Sequence, residues 1–361
     1  MRRWIILVGL ASCVGPNSMG DDTGGDPPDG GGTVDTSPSE LSLPLTPPSP
    51  ANNPSSPAKI ALGRLLFWDP ILSGDRELAC ASCHNPTFGY SDGRQTSVGV
   101  TRNAQTILNT AWNGTVLGHT APDCEQAPMF WDNRAHALEG QARGPLTTAA
   151  EMLGTSYTAQ TIFPELIARL SAIPAYASQF DAAFGTAGIT ETTIVQAIAA
   201  FERTLTNPQT SYDRYVNGET TALTPQQRHG LQVLSDNRCT NCHSGPMFSD
   251  YELHPLRVPD LPGTTHDAGD GANRFRTASL RNVTRTAPYM HNGVFANFQQ
   301  VFQFYRNATM NPLDPKLRDV RTPTPQEAPD VIAFFAALGD APFDTSVPAA
   351  VPSGLTPGGT P

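Results

Sequence analysis

The sequence repeats one five-residue pattern, Cys-x-x-Cys-His, at two distant places. The two copies are Cys80-Ala-Ser-Cys83-His84 and Cys239-Thr-Asn-Cys242-His243. In a c-type haem site the two thiolates form thioether bonds to the porphyrin, and the adjacent histidine binds the iron as proximal ligand. Two Cys-x-x-Cys pairs can also form a four-cysteine zinc site. The histidine that follows both pairs favours haem, so we expect two covalent haems and redox chemistry.

The first thirteen residues have the features of a secretory signal. Arg2 and Arg3 precede a short apolar run, and Cys13 follows that run directly in the lipobox-like string Leu10-Ala-Ser-Cys13. We therefore predict a lipoprotein-type signal peptide over residues 1–13, with lipid on Cys13. A plain secretory peptide that contains a chance cysteine is the alternative. Either signal predicts a periplasmic or cell-surface protein, which is also where c-type haems are attached.

Composition divides the rest of the chain. The 34 prolines and 31 glycines crowd the first sixty and the last twenty residues. Residues 14–50 offer almost nothing to bury, which predicts a disordered tether. Asn207-Pro208 ends a predicted helix, so we place a boundary there between an N-terminal haem domain at 51–207 and a C-terminal haem domain at 208–344. A loose tail is expected at 345–361.

Helical spacing of apolar residues recurs along the chain. It predicts helices at 59–68, 158–170, 175–184, 190–206, 297–306 and 325–338, and one that begins at Thr224-Pro225 and leads to the second haem motif. Convincing strand alternation is absent. We therefore predict a mainly α fold of two cytochrome c-like haem domains with long loops and little β structure.

The charge and hydropathy exclude some partners. The formal net charge of −10 argues against nucleic-acid binding. The sequence contains no run of eighteen apolar residues, so it predicts no membrane-spanning helix. Contact with a membrane is therefore expected only through lipid on Cys13.

Several longer strings accompany the two haem motifs. They are Leu62-Gly-Arg-Leu-Leu-Phe-Trp-Asp-Pro, Leu72-Ser-Gly-Asp, Phe130-Trp-Asp-Asn-Arg-Ala, Gln141-Ala-Arg-Gly-Pro, Leu280-Arg-Asn-Val and Ala287-Pro-Tyr-Met-His-Asn-Gly. With these strings the chain resembles the bacterial di-haem cytochrome c peroxidase and MauG superfamily over residues 55–340. The resemblance implies that the N-terminal haem is the peroxide site and that the C-terminal haem transfers electrons.

The resemblance also assigns side chains to the peroxide site. Gln141 and Glu151 match the distal Gln and Glu, and Trp131 matches a Trp between the two haems. A carboxylate beside bound peroxide can move a proton from one oxygen to the other, so that water leaves. Without the resemblance, Glu151 would be interpreted as a solvated charge at a helix start and Trp131 as a core residue.

Two departures from the peroxidase pattern predict the subtype. Val100 occupies the segment where most peroxidases have a His ligand to the first iron, so that haem should be open. Tyr305 lies fourteen residues after His291, where peroxidases carry a Met ligand to the second iron and MauG-like members carry Tyr. Methionine raises a haem potential, whereas tyrosinate stabilises oxidised iron. The alternatives are a packed aromatic at Tyr305, or ligation by Met290 or Met310.

The resemblance implies one further ion, a calcium between the domains. Its ligands would be the Asn103 side chain and the carbonyls of Thr286 and Pro288, with water completing the shell. His291 is interpreted as a structural residue at the second haem and not as a ligand. Cys124 is left over after the haem and lipid cysteines are assigned. It is expected to be a buried free thiol, or else a redox-sensitive or intermolecular one, with no intramolecular disulfide.

The resemblance implies an oxidoreductase that acts with hydrogen peroxide as acceptor, in the MauG-like (MbnH-like) branch. There peroxide creates a high-valent iron pair that oxidises a partner protein by long-range electron transfer, in some members at a tryptophan. The alternative is a cytochrome c peroxidase that reduces hydrogen peroxide to water with a small cytochrome or cupredoxin as donor. A membrane-tethered electron carrier is a third hypothesis, but it leaves Gln141, Glu151 and the open first haem unexplained.

Overall fold

The computed structural model describes residues 39–117, 123–310 and 312–358. The predicted signal peptide, the lipidation site Cys13 and the first part of the tether lie outside the described residues, as do the last three residues of the chain. Among the described residues no helix is both long and apolar enough to cross a membrane.

Helices and loops form most of the described chain. The helices are α1 (Pro57–Trp68), α2 (Cys80–Cys83), α3 (Ala137–Thr147), α4 (Ile162–Ser171), α5 (Pro174–Phe184), α6 (Glu191–Glu202), α7 (Ser211–Val216), α8 (Pro225–Asp236), α9 (Phe298–Met310) and α10 (Ala328–Ala337). The strands, two residues each, pair antiparallel as β1 (Pro128–Met129) with β2 (Ala135–His136) and β3 (Leu253–His254) with β4 (Phe275–Arg276). The predicted mainly α class with little β structure is confirmed.

Threonine side chains start two of the predicted helices. At α6, Thr190 accepts from the Thr193 backbone N–H, and the Thr193 hydroxyl accepts from the Thr190 N–H. At α8, Thr224 and Gln227 make the same reciprocal pair, with Pro225 at the first helical position. Such caps satisfy backbone donors that the helix itself leaves unpaired.

One glycine lies in the helix before each haem motif and permits close helix packing. In α1, a Cβ on Gly63 would collide with the carbonyl of Ala197 in α6. In α8, a Cβ on Gly230 would collide with the carbonyl of Asp330 in α10. The two halves of the chain therefore use the same device. In each half, the helix that leads to the haem motif packs against a later helix with no side chain between the backbones.

Each half has its own apolar core. In the N-terminal half α1, α3, α4, α5 and α6 contribute the buried side chains Leu62, Leu66, Leu146, Leu166, Phe180 and Ile194. In the C-terminal half the rings of Tyr212, Phe248 and Phe334 pack edge to face, with centroids 5.0 to 5.8 Å apart. The haem motifs lie at the edges of these cores, so packing of the helices positions the attachment cysteines.

Three fully buried asparagines join the two halves. The Asn109 amide donates to Asn207 Oδ1 at 2.7 Å, and the Asn207 amide donates to Asn282 Oδ1 at 2.7 Å. The Asn207 backbone N–H also donates to Asn109 Oδ1 at 2.9 Å. Because the buried amides hydrogen-bond to one another, the boundary predicted at Asn207-Pro208 is a tightly bonded junction.

Both ends of the described chain are packed onto the domains. Leu43 is 3% exposed and its N–H donates to Asp213, so the last part of the predicted tether joins the core. At the other end, Ser353 donates to Asp69 at 2.6 Å, and the Gly358 carbonyl accepts from Ser82 between the cysteines of the first haem motif. The expectation of a loose tail is wrong for residues 345–358. Long-range hydrogen bonds hold this segment, and composition does not reveal them.

We predict that Gly63→Ala lowers the free energy of unfolding by ~1–3 kcal/mol, because the new methyl forces α1 away from α6. Gly140→Ala is the matched control, since Gly140 lies exposed in α3 with nothing within 4 Å of its Cβ position. That substitution should stabilise the protein by about 0.4–1 kcal/mol. Urea unfolding of the purified holoprotein measures both. Equal effects of the two substitutions would contradict the close contact between α1 and α6.

Candidate di-haem active site

The first haem motif forms a short helix with its histidine at the end. Cys80 and Cys83 bracket α2, and His84 follows as the C-terminal cap. His84 Nδ1 lies 3.1 Å from the Tyr90 carbonyl oxygen. A carbonyl only accepts, so Nδ1 carries the proton and Nε2 is left to bind iron. Burial lowers the pKa of His84, which favours the neutral imidazole that a metal needs.

The second motif repeats this arrangement. Cys239 begins a 3₁₀ turn, and His243 Nδ1 lies 3.0 Å from the Phe248 carbonyl oxygen. Burial again lowers the pKa of His243. Both histidines are thus oriented by a backbone carbonyl a few residues further along, which leaves the same ring nitrogen of each available as an axial ligand.

A cavity of about 520 Å³ lies beside the first motif, and we call it the haem-1 cavity. His84, Val100, Trp131, Gln141 and Glu151 all line it. The structure therefore brings together the side chains that were predicted for the peroxide site from widely separated parts of the sequence. Within the described residues Gln141 Oε1 is buried without a hydrogen-bond partner, so it is available to a ligand in the cavity.

Glu151 enters the haem-1 cavity from an irregular turn. It lies in a π-helical turn at Ala149–Leu153, and its backbone angles of φ −115° and ψ −113° are not helical. Gly99, with φ +77°, lies against this turn, and a Cβ there would collide with the Ala150 carbonyl. Burial raises the pKa of Glu151, while the charges of Arg134 and Arg102 oppose that shift. The carboxyl can therefore hold a proton to higher pH than an exposed glutamate.

A second cavity of about 280 Å³, the haem-2 cavity, lies beside the second motif. His243, Tyr305 and Met290 line it. Tyr305 is half-buried on α9, and burial raises its pKa, so the free phenol is neutral and a metal would have to displace its proton. Met310 is 75% exposed and is not part of the cavity wall. Of the alternative ligands, only Met290 shares the cavity with Tyr305.

Trp131 lies in the wall that separates the two cavities and lines both of them. Its indole N–H donates to the Asn103 carbonyl at 2.9 Å, and its own carbonyl accepts from the Arg276 N–H at 2.7 Å. Trp131 therefore lies between the two cavities, and its position between two haems stays a prediction. The indole contact fixes the ring, and the carbonyl contact fixes the backbone of the residue.

Comparisons with known proteins agree with this geometry. A family profile described as di-haem cytochrome c peroxidase matches residues 57–221. Cytochrome-c peroxidase IdrP1 of Pseudomonas sp. (strain SCT) is 34% identical over 340 residues, covering 82% of this chain and 84% of that protein. MauG of Methylophilus methylotrophus is 32% identical over 311 residues, covering 81% of this chain and 85% of that protein. This chain belongs to the di-haem cytochrome c peroxidase family.

A solved structure supports the same assignment. The crystal structure of a MauG-like protein associated with microbial copper homeostasis matches with a TM-score of 0.70 at 30% identity, covering 82% of this chain and 94% of that one. Membership makes the chain an oxidoreductase that acts with peroxide. Relatives are named both peroxidase and MauG, so the family name alone does not choose between these roles.

The residues present fit the two haems that the family implies. Both cysteine pairs are free thiols in the structure, and each proximal histidine lines a cavity. The set of Cys242, Asp250 and His254 could hold a metal ion by distance, but haem attachment consumes the Cys242 sulfur. Covalent haem is therefore the better account of this site.

The oxygen donors predicted for calcium share one region. Asn103, Thr286 and Pro288 all line the haem-2 cavity. The Asn103 amide donates to the Arg94 carbonyl at 2.7 Å, which turns Nδ2 to the protein and leaves Oδ1 free of that bond. One amide oxygen and two carbonyls suit a calcium ion whose remaining ligands are water.

One cluster beside the second haem motif was not predicted. His254 is buried with Nδ1 2.7 Å from Asp314 and Nε2 3.1 Å from Asp250, and Lys316 pairs with Asp250 at 2.8 Å. Burial lowers the pKa of His254, but hydrogen bonds with Asp250, the Cys242 thiol and Asp314 together raise it to about 11. These ion pairs connect the loop after Cys242 with the segment after α9. No sequence spacing indicates this contact, since it joins residues sixty positions apart.

Cys124 also differs from expectation. The residue is buried, but it is disulfide-bonded and not a free thiol, so the expectation of no intramolecular disulfide is wrong.

Proposed function

We propose that this protein is a MauG-like enzyme that uses hydrogen peroxide to oxidise a partner protein by long-range electron transfer. The observation that carries the proposal is the position of Tyr305, which lines the haem-2 cavity together with the proximal His243. A phenolate ligand lowers the potential of a ferric haem and makes it a poor acceptor for electrons from a small donor. The same anionic ligand would stabilise the oxidised di-haem unit that peroxide leaves, so that it lasts long enough to take electrons from a nearby protein.

The haem-1 cavity supports the same function. Val100 lines it, and an aliphatic side chain cannot bind iron. Val100 therefore leaves the first haem site open to peroxide, with no side-chain ligand that must first leave the iron. When bound, the haems supply the electrons that reduce peroxide to water.

The chain's own residues would handle protons and orientation. Glu151, with its pKa raised by burial, can take a proton from one peroxide oxygen and deliver it to the other. The unpartnered Gln141 Oε1 accepts a hydrogen bond from the bound peroxide and thereby orients it. Trp131, in the wall shared by the cavities, provides an aromatic relay between the two sites.

The second candidate is a cytochrome c peroxidase with a small cytochrome or cupredoxin donor. One observation favours it: Met290 lines the haem-2 cavity beside Tyr305, and a methionine ligand would raise the haem potential. The two candidates therefore differ in the identity of a single axial ligand.

Substitution of Tyr305 decides the ligand. Tyr305→Met should raise the midpoint potential of the second haem and change its low-spin spectrum, because an anionic oxygen ligand is replaced by a thioether. Met290→Leu is the matched control and should leave both unchanged. Spectroelectrochemical titration of the two variants measures this. If Met290→Leu shifts the potential and Tyr305→Met does not, Met290 is the ligand and the peroxidase candidate prevails.

Glu151→Gln should slow the peroxide step by about 10²-fold or more, the typical worth of one positioned acid–base group. The amide keeps the shape of the side chain but cannot exchange the proton. Stopped-flow mixing of the ferric protein with peroxide gives the rate. Glu77→Gln is the control, since Glu77 is exposed and outside both cavity walls. A normal rate in Glu151→Gln would show that this carboxyl takes no part in the peroxide step.

The function itself is tested with candidate substrates. With peroxide, the holoprotein should turn over reduced small cytochromes and cupredoxins poorly, and it should change the mass of a co-encoded secreted partner at Trp or Tyr. Trp131→Phe should slow the partner oxidation more than the peroxide step, because only the relay is altered. Rapid turnover of any small donor without a mass change on the partner would establish the peroxidase function instead.

Two features of the setting are part of the proposal. Calcium bound through Asn103, Thr286 and Pro288 would fix the wall between the cavities, and elemental analysis of the purified protein tests for it. Lipid on Cys13 would hold the enzyme at a membrane in the periplasm or on the cell surface. Mass spectrometry of the mature N-terminus tests that anchor.

A further inference from the structure

Arg276 is a buried cation that faces both haem cavities. It lies on β4, it is 7% exposed, and it belongs to the wall of the haem-1 cavity and of the haem-2 cavity alike. Its backbone N–H donates to the Trp131 carbonyl at 2.7 Å, so its main chain is tied to the residue between the cavities. The family strings discussed above assign it no role.

The protein itself gives this guanidinium only neutral partners. Arg276 Nε donates to the Phe130 carbonyl at 3.0 Å, and one terminal nitrogen donates to Gln105 Oε1 at 3.3 Å. The Tyr251 ring lies 5.4 Å from the guanidinium carbon. A guanidinium has five N–H donors, and these two bonds use two of them. Donors are therefore left over on a side chain that lines both cavities.

The nearby carboxylates are already paired with other arginines. Asp132 accepts from Arg102 at 2.7 Å and from Arg134 at 2.8 Å. Asp267 accepts two hydrogen bonds from Arg102. Arg276 makes no ion pair with any carboxylate among residues 39–117, 123–310 and 312–358. Burial lowers the pKa of Arg276, and the charges of Tyr251 and Asp132 offset this shift only in part.

We propose that Arg276 binds haem carboxylates from both sites, as one cation shared by a propionate of each haem. The proposal rests on the two haems of the family and not on the choice between MauG-like and peroxidase function. Each haem carries two propionates on the edge opposite its thioether bonds. The planar fork of arginine matches carboxylate geometry, and its two faces of donors can serve two anions.

The neighbouring arginines do not have this geometry. Arg102 lines only the haem-1 cavity, and two aspartates hold it. Arg134 also lines only the haem-1 cavity, and its side chain is 46% exposed. A cation shared by both haems stabilises the reduced form of each, since reduction adds a negative charge nearby. Arg276 would thereby couple the electrostatics of two irons that share no ligand.

The test compares Arg276→Gln with Arg274→Gln in the holoprotein. Arg274 is two residues away, pairs with Asp270 on the surface and lines neither cavity, so it controls for loss of charge alone. Arg276→Gln should lower the midpoint potentials of both haems and shift the propionate-bending resonance Raman bands of both to lower frequency. Arg274→Gln should change none of these. Wild-type values in Arg276→Gln, or a change at one haem only, would overturn the shared site.

Arg276→Lys provides a second measurement in case the glutamine variant fails to fold. Lysine keeps the charge but lacks the fork, so it should leave both potentials near wild type while shifting the Raman bands of both haems. Unchanged bands in this variant would contradict propionate binding. Neither measurement reads peroxide or partner turnover, so its outcome is independent of the proposed function.

Discussion

The hydrogen bond from the Trp131 indole to the Asn103 carbonyl holds the wall on which both haem cavities depend. Asn103 belongs to the loop after the first haem motif, and its N–H donates to the carbonyl of His291 from the C-terminal half. Arg276, also from the C-terminal half, donates its N–H to the Trp131 carbonyl. The backbones of Asn103 and Trp131, both in the N-terminal half, are therefore each hydrogen-bonded to the C-terminal half. The geometry of these contacts determines how the cavities face each other.

The helical scaffold fixes that wall from a distance. Gly63 and Gly230 let each haem-bearing half close around a backbone-to-backbone helix contact. The buried amides of Asn109, Asn207 and Asn282 then hydrogen-bond to one another and join the halves. A buried amide that loses its hydrogen-bond partner lowers the free energy of unfolding of the protein. The junction therefore tolerates little relative movement. A rigid junction keeps an electron-transfer distance constant.

The charges around the cavities are arranged unequally. At the haem-1 cavity a carboxyl with a raised pKa faces arginines that aspartates already neutralise. At the second motif, His254 and Lys316 balance two aspartates in a closed cluster beside the attachment cysteine. Arg276 lines both cavities and makes no ion pair with a carboxylate of the described residues. The protein thus leaves positive charge where the haem carboxylates would add negative charge.

The sequence by itself determined the features that reside in short, contiguous strings. The two Cys-x-x-Cys-His motifs, the family strings, and helices such as α1, α6 and α8 follow from local spacing and capping, so they were predicted correctly. The positions of Gln141, Glu151, Trp131 and Tyr305 could be expected only through the resemblance, since their spacing alone has simpler explanations. Tertiary structure placed each of them in a cavity wall.

Only the tertiary structure decided the remaining contacts. The packing of residues 345–358, the His254 cluster and the contact of Arg276 with Trp131 all join segments far apart in the chain. Their free energy comes from burial and from hydrogen bonds between partners that no local pattern pairs. The irregular backbone of Glu151 has the same origin, because it depends on Gly99 packing against that turn. Local periodicity records which residues are apolar, but not which distant polar group each will meet.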